Sequence, residues 1–227
     1  MEFKDKEVIL FDLDGTLIDS VPDLAGAVNH MLLELKRPIF TEDVIRSWVG
    51  NGAQILVKRS LLGQSNINTI IDTELFNRAL EIFLNFYKNN LCIDTILYDG
   101  VYNTLQSLKK CNYRLVIVTN KPFAFVDPIL KGLNINELFE YIIGGDSLEK
   151  KKPDPMPLLH ICEKLNVAID KCVMIGDSKN DIIAANSIGM QSIGVTYGYN
   201  YGEDIKVNNP TLTVNDFSDI LTALLVK

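Results

Sequence analysis

The sequence predicts an α/β protein with a doubly wound, Rossmann-like parallel sheet and an all-helical cap inserted after the first strand. Two observations predict this fold class. Short β-branched runs alternate with stretches of helical periodicity over most of the chain, as they do in β-α-β units. Between residues 18 and 90 the alternation stops and only helical patterns occur. We therefore place the core domain at residues 1–17 and 91–227 and the cap domain at residues 18–90.

The core elements follow from local patterns along the chain. Apolar runs bounded by turn residues predict strands at Val8–Phe11, Leu115–Thr119, Tyr141–Ile143, Cys172–Ile175, Ser192–Thr196 and, more weakly, Thr211–Val214. Helical spacing of apolar residues predicts helices at Val101–Lys110, Pro122–Lys131, Pro155–Leu165 and Asp181–Ser187. Each predicted helix lies between two predicted strands, which is the arrangement of a doubly wound sheet.

The cap is predicted to hold about four helices. Apolar residues recur at helical spacing over 24–35 and over 76–87, and Thr41 offers a helix start between these stretches. The linkers to the core are expected near 18–22 and 89–100. The segment Trp48–Gly52 is interpreted as a turn that contacts the substrate, because two glycines flank Asn51 and allow a close approach.

Composition narrows the classes of partner. The chain has 227 residues, and 47% of them are apolar, which suffices for a buried core. Its net charge is −7 and it has no long basic stripe, which argues against binding to nucleic acid. No apolar run is long enough for a membrane span, and no leader pattern begins the chain. The four cysteines lack CxxC spacing. We expect a cytoplasmic protein, a monomer or a weak homodimer, that acts on small molecules.

Polar residues follow four of the predicted strands. In an open parallel sheet, ligands bind beyond the carboxyl ends of the strands, so these residues are expected in one crevice. Three carboxylates there would suit Mg²⁺, while a hydroxyl and an ammonium would suit an anion, a combination typical of phosphoryl chemistry. The residues, in strand order, are Asp12 and Asp14, then Thr119 and Asn120, then Lys152, and then Asp177.

The two neighbouring aspartates can divide two chemical roles. A carboxylate nucleophile must be ionised, whereas a general acid must carry a proton, and two coupled carboxyls near a metal can do one each. We assign Asp12 as the nucleophile and Asp14 as the general acid and base. Gly15 permits the turn that would present backbone amides to a phosphate oxygen.

Four segments resemble the motifs of the haloacid dehalogenase superfamily of phosphotransferases, in order and in spacing. They are DLDGTL at 12–17, VTN at 118–120, KKPDP at 151–155 and GDSKNDIIAA at 176–185. Two further segments, WVGNGA at 48–53 and TYGYNYG at 196–202, resemble the members that hydrolyse 2-phosphoglycolate. The resemblance spans nearly the whole chain and is weakest between residues 62 and 91.

The resemblance implies roles for individual residues. Asp12, Asp14 and Asp177 would hold Mg²⁺, Asp14 through its backbone carbonyl, and Asp181 would orient water or Lys152. The residues implied in substrate binding are Thr119, Asn120, Lys152 and, in the cap turn, Gly52. For a substrate carboxylate the sequence offers four cations without choosing among them, namely Arg46, Lys58, Arg59 and Lys121.

The implied activity is a Mg²⁺-dependent hydrolysis of a small phosphate monoester, 2-phosphoglycolate to glycolate and phosphate, through an aspartyl-phosphate. Three alternatives stay open. A sugar-phosphate mutase of the β-phosphoglucomutase type shares both aspartates of the first motif, and another small-metabolite phosphatase of the superfamily shares every motif. A catalytically silent binding protein is the third, although such proteins usually lack a motif residue and none is missing here.

Overall fold

A six-stranded parallel sheet forms the centre of the computed structural model. The structure describes residues 3–225, so the predicted core bounds at residues 1 and 227 lie outside the described range. The strands of the main sheet and of a separate two-stranded sheet, β2 with β3, are β1 (Val8–Phe11), β2 (Ile18–Asp19), β3 (Ile96–Leu97), β4 (Arg114–Val118), β5 (Tyr141–Ile143), β6 (Cys172–Gly176), β7 (Gln191–Val195) and β8 (Leu212–Val214). Their order in the main sheet is β5-β4-β1-β6-β7-β8, with every neighbouring pair parallel. This confirms the predicted fold class of a doubly wound parallel sheet.

Helices α5 to α9 cover the two faces of this sheet. The α-helices of the described residues are α1 (Val21–Glu34), α2 (Glu42–Arg46), α3 (Ala53–Leu62), α4 (Thr73–Asn89), α5 (Val101–Lys110), α6 (Phe123–Gly132), α7 (Met156–Leu165), α8 (Lys179–Asn186) and α9 (Asp219–Leu225). Ile9 and Phe11 of β1 belong to the core cluster that includes α5, α6 and α9, whereas Val8 and Leu10 pack with α7 and α8. Because side chains alternate along a strand, β1 is buried on both faces, which explains its uninterrupted apolar run.

The predicted core elements differ from the observed ones by at most two residues at either end. The largest difference is at α8, which begins at Lys179 because Ser178 and Asp181 form a capping box at its start. Sequence reasoning missed β2 and β3, which pair antiparallel within the two linkers. Two residues are too few to show a strand period, and the partner lies far along the chain.

Helices α1 to α4 occupy the region predicted as the cap, and α1 packs against both α4 and α2. Thr41 directly precedes α2 as expected, but its hydroxyl makes no capping hydrogen bond. The domain bounds at residues 18 and 90 remain a prediction. None of the helices within residues 3–225 combines the length and the apolar character needed to cross a bilayer.

A buried carboxylate on α1 holds the second linker. Asp23 on α1 accepts hydrogen bonds from the backbone N–H groups of Ile93, Asp94 and Thr95 at 3.1, 2.9 and 3.1 Å. The hydroxyl of Thr95 donates a fourth at 2.5 Å. One side chain therefore satisfies the backbone of the second linker and holds it against the first helix of the cap region.

Replacing Asp23 by alanine should lower the free energy of unfolding by about 3 kcal/mol, because two buried donors of Thr95 and two part-buried backbone N–H groups lose their acceptor. The exposed neighbour Asp94 provides the matched control, since Asp94→Ala keeps the backbone N–H and should stay within about 0.5 kcal/mol of wild type. Urea denaturation of the three proteins measures both values. Equal stability of Asp23→Ala and Asp94→Ala would contradict the role given to Asp23.

Candidate active site

The residues predicted from four strand ends meet in one crevice at the carboxyl edge of the sheet. Asp12 follows β1, Thr119 follows β4 and Asp177 follows β6. Lys152, in the loop after β5, reaches across, so that its Nζ lies 3.1 Å from Oδ1 of Asp12. The central strand β1 thus places Asp12 between the groups supplied by its two neighbours, as the strand order requires.

Lys152 is 2% exposed and is held by three oxygen atoms. Besides Asp12, its ammonium contacts Oδ1 of Asp181 at 2.6 Å and donates to the backbone carbonyl of Val118. Asp181 was predicted to orient water or Lys152, and this contact places it beside the lysine. Burial opposes the charge of Lys152, but the two carboxylates outweigh it and raise the pKa of Lys152 above its ordinary value.

Asp12 presents one engaged and one free oxygen. Oδ1 accepts the Lys152 contact and a hydrogen bond from the backbone N–H of Leu13 at 2.7 Å. Within the described part of the chain, Oδ2 has no hydrogen-bond donor, which leaves it available to an incoming group. Burial raises the pKa of Asp12 to about 7, although the charge of Lys152 acts in the opposite direction.

Three buried carboxylates form an acidic cluster, which consists of Asp12, Asp177 and Asp181 and offers ligand atoms within 4.8 Å of one another. Burial, with Asp12 and Asp181 close by, raises the pKa of Asp177 to about 8. Three buried carboxylates with only one lysine among them fit a hard divalent cation such as Mg²⁺. The structure thus joins Asp181 to Asp12 and Asp177 in the cluster, although sequence reasoning gave it an orienting role.

Hydrogen bonds from neighbouring residues hold the carboxylate of Asp177 in the acidic cluster. Asp177 accepts a hydrogen bond from the Thr16 hydroxyl at 2.9 Å and another from the Tyr199 backbone N–H at 2.8 Å. Gly15 has φ +85°, and a Cβ built on it would lie 2.4 Å from Oδ2 of Asp177. The turn after β1 can therefore approach the acidic cluster only with glycine at position 15.

The side chain of Asp14 points to a different partner. Its carboxylate lies 2.8 and 3.2 Å from Nζ of Lys121 and accepts a hydrogen bond from the Ser20 hydroxyl at 2.5 Å. The carboxylate is thus separate from the acidic cluster, and the metal contact predicted for Asp14, which concerns its backbone carbonyl, stays a prediction. Sequence reasoning missed Ser20 and named Lys121 only among four cations, because neither pairing leaves a local signal.

Thr119 and Asn120 line the crevice in different ways. Thr119 is 3% exposed and its oxygen accepts the backbone N–H of Lys121, which leaves the hydroxyl proton free to donate. The Asn120 side chain instead donates to the carbonyls of Gly50 and Lys152 at 3.1 and 3.0 Å. It therefore ties the cap turn to the core, and the substrate contact predicted for Asn120 would have to come from another of its atoms.

The turn at Trp48–Gly52 lies directly on the crevice. Gly52 has φ +83°, and a Cβ there would lie 2.7 Å from the Asn120 carbonyl oxygen, so glycine is needed for this approach. The carbonyl of Asn51 accepts a hydrogen bond from Nζ of Lys151 at 2.8 Å. The predicted substrate contact of Gly52 remains a prediction, but the residue does line the same cavity as Asp12.

This cavity has a polar end and an apolar end. Its polar end consists of Asp12, Asp14, Thr119, Asn120 and Lys121. The remaining wall is formed mainly by side chains from the cap region and from α6, namely Leu24, Val49, Leu56, Phe83, Tyr87 and Phe125. Such a cavity encloses a small ligand between reactive groups and a layer that keeps water away.

A doubly wound sheet with these groups at its carboxyl edge, below a layer of helices, defines the class of the protein as an α/β enzyme that acts on phosphate esters. The model of the haloacid dehalogenase-like hydrolases matches residues 9–195, and the chain belongs to that family. The resemblance stated from the motifs is thereby confirmed.

Individual relatives match nearly the whole chain. The chain is 52% identical to the phosphoglycolate phosphatase of Colwellia psychrerythraea over 99% of both proteins. It is 46% identical to that of Psychrobacter arcticus over 97% of this chain and 96% of the relative. The crystal structure of a predicted phosphoglycolate phosphatase from Haemophilus somnus superimposes with a TM-score of 0.91 at 38% identity, covering 97% of this chain and 98% of that one.

Proposed function

We propose that the protein is a Mg²⁺-dependent phosphatase that hydrolyses 2-phosphoglycolate to glycolate and phosphate through an aspartyl-phosphate on Asp12. The observation that carries the proposal is the buried ammonium of Lys152, 3.1 Å from Asp12 and beside the acidic cluster. The same crevice therefore contains a site for a cation, the acidic cluster, and a positive group for a phosphate, the ammonium of Lys152. The relatives named phosphoglycolate phosphatase support the choice of substrate.

In the first half of the reaction, a carboxylate oxygen of Asp12 attacks phosphorus and the bond from phosphorus to the ester oxygen breaks. Asp14 gives its proton to that oxygen, so glycolate leaves as a neutral hydroxyl. Lys152 and the Thr119 hydroxyl bind the phosphoryl oxygens during the transfer. The backbone N–H groups of Asp14 and Asn120 have no acceptor in the described part of the chain and can donate to the same oxygens.

In the second half, water attacks the phosphorus of the aspartyl-phosphate and passes its proton to Asp14. The bond from phosphorus to the Asp12 oxygen breaks, which frees inorganic phosphate and restores the carboxylate. Asp14 thus returns to its starting protonation state. The side chains of Asp12 and Asp177 and the Asp14 carbonyl would hold Mg²⁺, which when bound neutralises charge on the phosphoryl group.

Binding of Mg²⁺ should strengthen as the pH rises from about 6 to about 8 and then level off, because the ion must displace protons. The pKa of Asp12 is raised to about 7 and that of Asp177 to about 8, so without metal both carboxyls hold protons at lower pH. Lys152 and Asp181 are charged groups that adjoin these carboxyls, so the charge of each group affects the proton affinity of the others. Calorimetric titration in two buffers of different ionisation enthalpy measures the affinity and the proton release. A dissociation constant independent of pH would contradict this expectation.

Phosphate release from a panel of esters tests the proposed function. With Mg²⁺ present, 2-phosphoglycolate should give a higher kcat/KM than hexose phosphates, nucleotides or pyridoxal phosphate, and removal of the ion with EDTA should stop turnover. A preference for a hexose phosphate that depends on a sugar bisphosphate activator would instead indicate the mutase. No release from any ester would indicate a binding protein. The cytoplasmic location and the state of monomer or weak homodimer remain predictions.

A further inference from the structure

The proposed function requires a group that binds the carboxylate of the substrate, and the cavity offers one cation for it. Of the described residues that line the cavity, Lys121 alone is positively charged. The other candidate cations are engaged elsewhere. Arg46 contacts two carboxylates, Arg59 donates to two backbone carbonyls, and the Lys58 ammonium lies 5.2 Å from the centre of a phenylalanine ring.

Lys121 is fixed where a short substrate would need it. It is 4% exposed, and its Nζ lies 2.8 Å from Oδ1 of Asp14. Asp14, as the general acid, has to reach the ester oxygen of the substrate. In 2-phosphoglycolate a single methylene carbon separates that oxygen from the carboxylate, so an ammonium that touches Asp14 lies beside the position of the carboxylate.

A buried hydroxyl in the same cavity has no acceptor for its proton. Tyr87 is 1% exposed, and within the described residues its hydroxyl donates no hydrogen bond; the neighbouring Lys121 ammonium carries only donors and cannot accept one. The Lys121 ammonium lies 5.0 Å from the centre of its ring. A buried hydroxyl proton without an acceptor is energetically unfavourable, and a ligand acceptor in the cavity would remove that cost.

The ring of Tyr87 is held in place on two sides. Phe83 stacks on it with centroids 5.8 Å apart, and Phe125 meets it edge-on at 5.2 Å. Burial raises the pKa of Tyr87 to about 12, so the hydroxyl keeps its proton and can donate it in a hydrogen bond. The remaining wall around it is apolar and matches a methylene group better than the hydroxyls of a sugar.

We propose that Lys121 and Tyr87 form a carboxylate subsite, in which the ammonium and the hydroxyl each donate a hydrogen bond to the carboxylate of a short phosphorylated acid. The subsite rests on the proposed function and specifies its substrate class. A substrate without the carboxylate leaves the proton of the Tyr87 hydroxyl without an acceptor and is rejected for that reason. Tyr87 is therefore a specificity-determining residue contributed by α4, in the same cavity as the cap turn.

The test compares 2-phosphoglycolate with ethyl phosphate, in which a methyl group replaces the carboxylate and no acceptor remains, in steady-state assays with Mg²⁺. In Tyr87→Phe, kcat/KM for the acid should fall about tenfold, mainly through KM, while that for ethyl phosphate changes less than about threefold. In Lys121→Met the ratio of kcat/KM for the acid to that for ethyl phosphate should fall towards one. Lys121 also contacts Asp14, so its replacement can lower the rate with both substrates. The ratio of the two kcat/KM values cancels that shared effect and reports the subsite.

Tyr98→Phe is the matched control, since it also removes a hydroxyl that is buried among the described residues but Tyr98 does not line the cavity. It should keep the wild-type ratio, and thermal unfolding verifies that all variants fold. An unchanged ratio in Tyr87→Phe would overturn the subsite while leaving the phosphatase proposal intact. If the wild type released phosphate from other esters but not from 2-phosphoglycolate, the proposed function would be wrong and the subsite with it.

Discussion

Replacing Asp12 by asparagine should lower phosphate release by at least about 10⁴-fold while the protein stays folded. The amide cannot act as a nucleophile towards phosphorus, and the proposed mechanism assigns that attack to the free Oδ2 of Asp12. Folding should persist because the side chain keeps its shape and because a buried carboxylate with a pKa raised to about 7 gains little from its charge. Stopped assays with 2-phosphoglycolate and thermal unfolding measure the two effects.

Asp216→Asn is the control for that experiment, because Asp216 is exposed and lies outside the acidic cluster. It removes the same charge and should leave both the rate and the unfolding temperature at wild-type values. Substantial turnover by a folded Asp12→Asn protein would remove Asp12 from the role of nucleophile and would require another group, or water, to attack phosphorus directly.

Replacing Lys152 by methionine should affect both activity and stability. The variant lacks the ammonium that the proposed mechanism assigns to the phosphoryl oxygens, and its loss should lower kcat about 10³-fold. It also leaves Asp12 and Asp181 buried without their cation, and breaking a buried ion pair in this way costs about 3–5 kcal/mol. Methionine keeps the length and the apolar stem of the side chain, so the effect reports the charge.

Lys150→Met is the matched control, because it makes the same replacement at a lysine on the surface. Lys150 is exposed and pairs with Asp154 at the surface, where such a pair contributes at most about 1 kcal/mol. Urea denaturation and steady-state assays on both variants give the comparison. If Lys152→Met were as stable and as active as Lys150→Met, the buried ammonium would have neither the structural nor the chemical role given to it.

Much of this fold was predictable because its signals are local. The strand β1 is buried on both faces, and a short uninterrupted apolar run such as Val8–Phe11, bounded by polar residues, is typical of such a strand. Residues that follow strand ends could be assigned to one crevice because parallel strands share an edge, and the structure brings Asp12, Lys152 and Asp177 together there.

The parts that sequence reasoning missed depend on contacts between distant residues. The pairing of β2 with β3 joins two linkers that are separated by the whole cap region. The contact of Lys121 with Asp14, and the position of the Tyr87 hydroxyl in the cavity, depend on how α4 and the loop before α6 pack over the first motif. A helical stripe of aromatic residues indicates burial, but it cannot show that one hydroxyl in it lacks an acceptor.

Trapping the intermediate tests the central claim, that Asp12 carries the phosphoryl group. Enzyme quenched during turnover of 2-phosphoglycolate with Mg²⁺ is treated with borohydride, which reduces an acyl phosphate to an alcohol, and the peptides are analysed by mass spectrometry. We predict homoserine at position 12, dependent on substrate and on Mg²⁺. Homoserine at position 14, or unmodified aspartate at both positions under conditions that sustain turnover, would contradict the mechanism.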